Sequence, residues 1–161
     1  MPSPDEVIAF WQEAGPERWF AKDDAFDTAI RQRFEGWHHA AARGEMPGWL
    51  ESWEGSLALL LLLDQFPRNL FRGSAHSYAA DPLARSIAAP ALAAGHDRQA
   101  PAALAVFYYL PFEHSEDLAD QETREHRLAL LVRHHVADPR HRPRDDRGGR
   151  GAGQCTCQRQ H

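Results

Sequence analysis

The sequence predicts an all-α protein built from antiparallel helical hairpins, and three observations support this class. Apolar residues recur every three or four positions along the longer segments, which is the spacing of one helical face. No stretch alternates apolar and polar residues in the way of a half-buried strand. Proline, glycine and capping residues separate the periodic segments at short intervals. We therefore expect about six helices in one domain over residues 1–136.

The first two helices have the clearest boundaries. Ser3, Pro4 and Glu6 form a capping-box start for a helix over residues 3–14, and a second helix is expected from about residue 24 to residue 43. Their apolar stripes are Val7, Phe10, Trp11 and Ala14 in the first helix and Phe26, Ile30, Phe34, Trp37 and Ala41 in the second. Each stripe occupies one face, so both helices are expected to pack against a common core.

The third helix, over residues 52–65, is expected to be the central one. Leu57–Leu63 is apolar on every side, which is typical of a fully buried helix rather than a surface one. Leucine also favours helix over strand. Pro67 is expected to end this helix and to begin a loop over residues 67–75.

Three more helices are expected in the second half of the chain. Asp81 is the predicted N-cap of the fourth helix, which reaches Ala94. The fifth covers about residues 100–110 and stops at Pro111. Ser115 is the predicted N-cap of the sixth helix.

Charge and cysteine content narrow the classes of function. Residues 137–161 hold six Arg and three Asp, a formal charge of +3, so the other 136 residues carry −8 of the overall −5. An acidic body does not favour nucleic acid as a partner. The longest apolar run is too short for a membrane span, the N-terminus lacks a signal-peptide pattern, and both cysteines lie in the tail. We expect a cytoplasmic protein with a disordered tail over residues 137–161.

A first polar cluster follows the central apolar run, in the sequence LDQFPRNLFRG. It contains Asp64, Gln65, Arg68, Asn69 and Arg72. In one interpretation these side chains only hydrogen-bond to the free backbone groups at the end of a helix, and the two arginines interact favourably with the negative end of the helix dipole. In the other they form the wall of a site, in which Arg68 presents its fork of donors to a carboxylate or phosphate.

A second polar cluster lies between Pro111 and the predicted sixth helix. It consists of His114, Ser115, Glu116 and Asp117. Carboxylates in the first turn of a helix are expected from the helix dipole alone. A histidine beside carboxylates can also titrate near neutral pH and act as a general acid or base. Both interpretations remain open from the sequence.

The two clusters together predict one candidate site for an anionic small molecule. Alternate loops of antiparallel hairpins meet at the same end of a bundle, so the loops 64–73 and 111–117 are expected to be neighbours. In that site His114, Asp64 and Asp117 have the catalytic roles. The ligand-binding residues are Gln65, Arg68, Asn69, Arg72, Ser115 and Glu116. The alternative function is a protein- or peptide-binding module with a concave helical surface.

No metal or cofactor is expected. The pairs His38–His39 and His134–His135 are adjacent in sequence, so their side chains diverge on a helix and do not chelate one ion. The sequence also lacks the GxSxG, HExxH and phosphate-binding glycine-rich motifs. Several common enzyme classes are therefore not indicated.

Two long motifs, SLALLLLLDQFPRNLFRG and FYYLPFEHSEDLADQ, give the chain a family resemblance. Together with shorter segments over about residues 5–135, they resemble the bacterial domain-of-unknown-function family 924. The resemblance implies an all-α domain similar to a right-handed array of tetratricopeptide-type hairpins. It implies no established activity.

The tail departs from the family pattern. The resemblance implies a further aromatic-Pro-basic-Asn motif and a final helix, neither of which occurs in residues 137–161. An Arg-rich, apolar-poor ending is what a reading-frame shift in a GC-rich gene would produce. Resequencing the gene tests that hypothesis.

Overall fold

The computed structural model describes residues 2–113 together with residues 125 and 129, and the all-α prediction is confirmed for this part of the chain. The helices are α1 (Pro4–Ala14), α2 (Pro16–Trp19), α3 (Asp24–Ala42), α4 (Trp53–Leu60), α5 (Phe66–Leu70), α6 (Asp81–Ala93), α7 (His96–Gln99), α8 (Ala102–Ala105) and α9 (Leu110–Glu113). Single 3₁₀ segments occupy Pro47–Glu51, Ala75–Tyr78 and Val106–Tyr108. The right-handed tetratricopeptide-like array stays a prediction.

The first two predicted helices begin where the capping residues place them. The Ser3 side chain accepts a hydrogen bond from the Glu6 amide at the start of α1. The Asp23 carboxylate accepts from the amides of Ala25 and Phe26 at the start of α3. These bonds satisfy amide groups that the helices themselves leave without acceptors.

The predicted central helix lies in the middle of the core. Every side chain of Leu57–Leu63 is at least 97% buried. Helix α4 packs against α1 and α6, while α3 packs against α5 and the residues just before it. Trp11, Phe34 and Phe66 fill the space between these helices with tilted aromatic contacts. Among the described residues, no helix has the length and hydropathy that crossing a membrane requires.

The prediction that Pro67 ends the central helix is wrong. The chain stays helical from Trp53 to Leu70, with one π-helical turn over Leu61–Gln65 between α4 and α5. In this turn the Phe66 amide donates to the Leu61 carbonyl, five residues back. The wider turn accommodates Pro67, which has no amide hydrogen and would clash in a regular helix. The loop predicted over residues 67–75 is correspondingly shorter.

The π-helical turn leaves the Leu62 carbonyl without a donor in its own helix. The Phe66 amide is used by Leu61, and Pro67 has none to give. His38 on α3 supplies the donor instead, with Nδ1 at 2.8 Å from the Leu62 oxygen. Because a carbonyl only accepts, His38 carries its proton on Nδ1. Burial lowers the pKa of the His38 imidazole, and this bond to Leu62 only partly offsets it.

We expect His38→Ala to lower the free energy of unfolding by about 1–3 kcal/mol, because it leaves a buried carbonyl without a donor. His38→Asn places an amide near the position of Nδ1 and should retain part of this stability. Urea unfolding at pH 7.5 measures both variants. Equal stability of His38→Ala and His38→Asn would contradict the assigned bond.

The same pair of proteins tests the lowered pKa of His38. Below about pH 6.5 the unfolded chain binds a proton at His38 that the folded chain resists, so the wild type loses stability as the pH falls. The asparagine variant has no such group. The stability advantage of the wild type over His38→Asn should therefore shrink between pH 7.5 and pH 5.5.

Two other predicted helix boundaries are also wrong. Ala80, rather than Asp81, is the N-cap of α6, because the Asp81 carboxylate faces Arg68 instead of the helix amides. The predicted fifth helix is split into α8, a 3₁₀ turn and α9, and Pro111 lies in the first turn of α9, where its missing amide leaves no helix bond unmade. Of the predicted sixth helix, the structure describes only residues 125 and 129, and both are helical.

Candidate functional site

The first polar cluster predicted from sequence divides into two groups of contacts. In one, Nη2 of Arg68 lies 2.9 and 3.0 Å from the two carboxylate oxygens of Asp81, at the start of α6. Nη1 of Arg68 donates to the Ser77 carbonyl, and Nη2 lies 3.7 Å from Oδ1 of Asp64. Gln65 donates to the other oxygen of Asp64 at 2.5 Å. The guanidinium is thus enclosed by carboxylates and a carbonyl.

The second group joins α5 to α3 through the carboxylate of Asp27. Asn69 donates to Oδ1 of Asp27 at 2.7 Å, and Arg72 donates through Nε and Nη2 at 2.9 and 3.0 Å. Burial raises the pKa of the Asp27 carboxyl, but the hydrogen bonds from Arg72 and Asn69 outweigh it and hold that pKa below its usual value. Asp27 therefore stays ionised at neutral pH.

These contacts occupy the arginine side chains that were predicted to bind an anionic ligand. Both arginine forks bind carboxylates of the chain itself, which supports the interpretation of residues 64–73 as a structural joint between α5, α3 and α6. The second cluster, His114, Ser115, Glu116 and Asp117, lies outside the described residues. The predicted neighbourhood of the loops 64–73 and 111–117 therefore stays a prediction.

The sequence reasoning missed a cavity on another part of the molecule. It has a volume of about 610 Å³ and lies between the end of α3, the 3₁₀ segment Pro47–Glu51, α4 and α6. Its lining is mainly aliphatic and includes Ala41, Met46, Pro47, Leu50, Leu59, Leu83, Ile87, Pro90, Ala91 and Ala94. Ser56 and His96 also line it, and both side chains are more than 90% buried. Apolar walls with a few converging polar groups are typical of small-molecule sites.

Three buried side chains, which we call the Ser56–His96–Tyr108 triad, form a hydrogen-bonded chain at this cavity. Ser56 Oγ lies 2.9 Å from His96 Nδ1 and 3.1 Å from Tyr108 Oη. The Tyr108 hydroxyl donates to the Trp53 carbonyl at 2.6 Å. Burial raises the pKa of the Tyr108 phenol, so it remains a neutral donor. Helices α4 and α7 and the 3₁₀ turn Val106–Tyr108 therefore share one polar centre.

The triad contains a serine next to a histidine, but the surroundings do not suit acyl transfer. The amides of Gly55 and Ser56 already donate to the side chain and the carbonyl of Ser52. Neither amide is therefore available beside Ser56 to stabilise an oxyanion. Within the described ranges, no group of three or more His, Cys, Asp or Glu side chains could hold a metal ion. The arrangement is suited to hydrogen bonding of a ligand.

The triad was not predicted because its members are far apart in sequence. Ser56 and His96 are separated by 40 positions, and Ser56 and Tyr108 by 52. Neither spacing forms a local motif. One signal was present: Ser56 is a hydroxyl residue immediately before the seven-residue apolar run, where a buried polar group needs a partner.

The comparisons with known proteins agree with the fold. The family model described as bacterial protein of unknown function (DUF924) matches residues 7–161, a longer range than the motifs alone indicated. A solved structure of a protein of unknown function from Agrobacterium tumefaciens is 51% identical, with a TM-score of 0.76, and the similarity covers 81% of this chain and 77% of that one. No curated protein matches the sequence. The chain therefore belongs to the DUF924 family.

Proposed function

We propose that this protein binds a small, predominantly apolar molecule in the cavity between α3, α4 and α6. The observation that supports the proposal is the cavity itself, whose volume of about 610 Å³ lies within the range of small-molecule sites. The space is open to solvent, and its lining includes the exposed residues Leu50, Pro90 and Ala94. A cleft of this volume with mainly apolar walls is the usual form of a small-molecule site, which favours a binding role.

The charges around the cavity favour an uncharged ligand. Of the described residues that line it, Glu51 alone is charged. A carboxylate or phosphate would find no cation there and would be repelled by Glu51. The anionic ligand predicted from sequence would need the other site, at residues 64–73, where Arg68 and Arg72 are engaged by Asp81 and Asp27.

Two alanines near the end of α6 provide a matched test. Both are exposed, but Ala94 lines the cavity and Ala93 does not. We expect Ala94→Trp to place an indole in the cavity and weaken binding of a neutral apolar fluorophore, N-phenyl-1-naphthylamine, by at least ~10-fold. Ala93→Trp should bind it as the wild type does.

Fluorescence titration of the three proteins measures this effect, and circular dichroism verifies that each is folded. Saturable one-site binding by the wild type and by Ala93→Trp, with loss in Ala94→Trp, supports the proposal. Absence of saturable binding by the wild type, or equal binding by the two tryptophan variants, contradicts it.

A further inference from the structure

We infer that His96, held by Ser56, which in turn bonds to Tyr108, is the polar anchor of this cavity, and that the ligand is an apolar molecule carrying one uncharged hydroxyl group. The inference rests on the proposed binding function and adds the chemical class of the ligand. It follows from the geometry of the triad, from its burial, and from the charges around the cavity.

One ring nitrogen of His96 is available to a ligand. Ser56 occupies Nδ1 of His96, so Nε2 is the ring atom left for a ligand. No described residue hydrogen-bonds to Nε2, although the imidazole is 92% buried and lines the cavity. Nε2 is not among the fully buried atoms of the described residues that lack a partner, so it keeps access to the cavity, where a ligand group can pair with it in place of water.

Nε2 of His96 can act as a hydrogen-bond donor or as an acceptor. The proton of Tyr108 is directed at the Trp53 carbonyl, so the Tyr108 oxygen can accept from Ser56. If Ser56 donates to Tyr108 or to the Trp53 carbonyl, which lies 3.2 Å from its Oγ, His96 donates from Nδ1 to Ser56 and Nε2 is an acceptor. If Ser56 instead donates to His96 Nδ1, the imidazole proton lies on Nε2, which is then a donor.

Both proton arrangements use the same positions of the heavy atoms. The anchor can therefore donate to a ligand or accept from it without any movement of the protein. A hydroxyl group also donates and accepts, so it can pair with Nε2 in either arrangement. A carbonyl ligand would pair with only one of them.

The charges around the cavity oppose a charged ligand. Residues 2–113 carry 15 acidic and 9 basic side chains, and Glu51 lines the cavity. This field opposes a carboxylate ligand. An ammonium group would be attracted to the mouth of the cavity, but its transfer to the buried imidazole would remove its water without a counter-ion. An uncharged hydroxyl avoids both penalties.

Four eight-carbon probes test the inference by displacing N-phenyl-1-naphthylamine from the wild type at pH 7.5. They are 1-octanol, 1-chlorooctane, octanoate and octylamine. We expect 1-octanol to displace the fluorophore at a concentration ~10-fold lower than each of the others, the size of effect that one well-made buried hydrogen bond produces.

Variants of the anchor should remove this preference while the apolar walls still bind. In Ser56→Ala and His96→Phe, we expect the advantage of 1-octanol over 1-chlorooctane to fall below ~3-fold. The matched control is Ser86→Ala, because Ser86 also lines the cavity but its hydroxyl donates to the Leu83 carbonyl of its own helix. Ser86→Ala should keep the full preference.

The outcomes separate the anchor from the binding function. If 1-chlorooctane binds the wild type as tightly as 1-octanol while Ala94→Trp blocks both, the anchor is overturned and the proposed function stands. If the fluorophore and all four probes fail to bind the wild type, both are overturned. Should the anchor variants not fold, the ¹⁵N shifts of His96 decide: 1-octanol must change them more than 1-chlorooctane does, and equal shifts overturn the anchor.

Discussion

Replacing Arg68 by alanine is expected to lower the free energy of unfolding by about 3 kcal/mol, the range for removing one partner of a buried ion pair. Arg68 lies between Asp64 and Asp81, which are 99% and 93% buried. Without the guanidinium, the buried carboxylates of Asp64 and Asp81 would lose their contacts with Arg68, and the Ser77 carbonyl would lose this donor. Helix α5 would also lose its ionic link to the start of α6.

Urea unfolding of Arg68→Ala, Arg68→Lys and Arg43→Ala measures the effect. Lysine keeps the charge but lacks the fork that reaches both oxygens of Asp81, so it should recover only part of the stability. Arg43 pairs with Glu45 at the surface, and its loss should change little. Wild-type stability of Arg68→Ala would contradict a structural role for the contacts of Arg68 with Asp64 and Asp81, and would favour the predicted ligand-binding role of Arg68.

Much of the fold could be predicted because helix starts and burial depend on local sequence patterns. Ser3 caps the helix that it was expected to cap, and the second helix begins at Asp24, as expected. Leu57–Leu63 has no polar face, and the structure buries it completely among α1, α3 and α6. The error at Pro67 has a physical cause: a proline normally ends a helix, but a histidine from another helix can satisfy the carbonyl that the proline leaves free.

The candidate site was harder to predict than the fold. The polar residues of the sequence LDQFPRNLFRG resemble a ligand site because many of them lie close together in sequence. In the structure Arg68 pairs with Asp81, 13 positions away, and Arg72 pairs with Asp27, 45 positions away. Ser56 and His96 were not predicted as site residues because no other polar candidate lies near either of them in sequence. Only tertiary packing decides whether a polar side chain finds a partner inside the protein or faces a cavity.

Gly55→Ala is expected to lower the free energy of unfolding by about 3 kcal/mol, at the upper end of what overpacking a buried position costs. A methyl group at Gly55 would lie against the Trp49 carbonyl oxygen, well inside contact distance, and 2.6 Å from Trp49 Cα. Both are backbone atoms, so no side-chain rotation relieves the clash. Helix α4 is held by the core around Leu57–Leu63, and the segment Pro47–Glu51 must therefore shift.

Gly36→Ala is the matched control, and it should have the opposite sign. Gly36 lies within α3, is exposed, and has nothing near the position of an added methyl group. Alanine there should raise the stability by about 0.5–1 kcal/mol through helix propensity. Because Pro47 and Leu50 also line the cavity, Gly55→Ala should in addition weaken fluorophore binding, whereas Gly36→Ala should not. Equal stability of the two alanine variants in urea unfolding would contradict the close approach of α4 to Trp49.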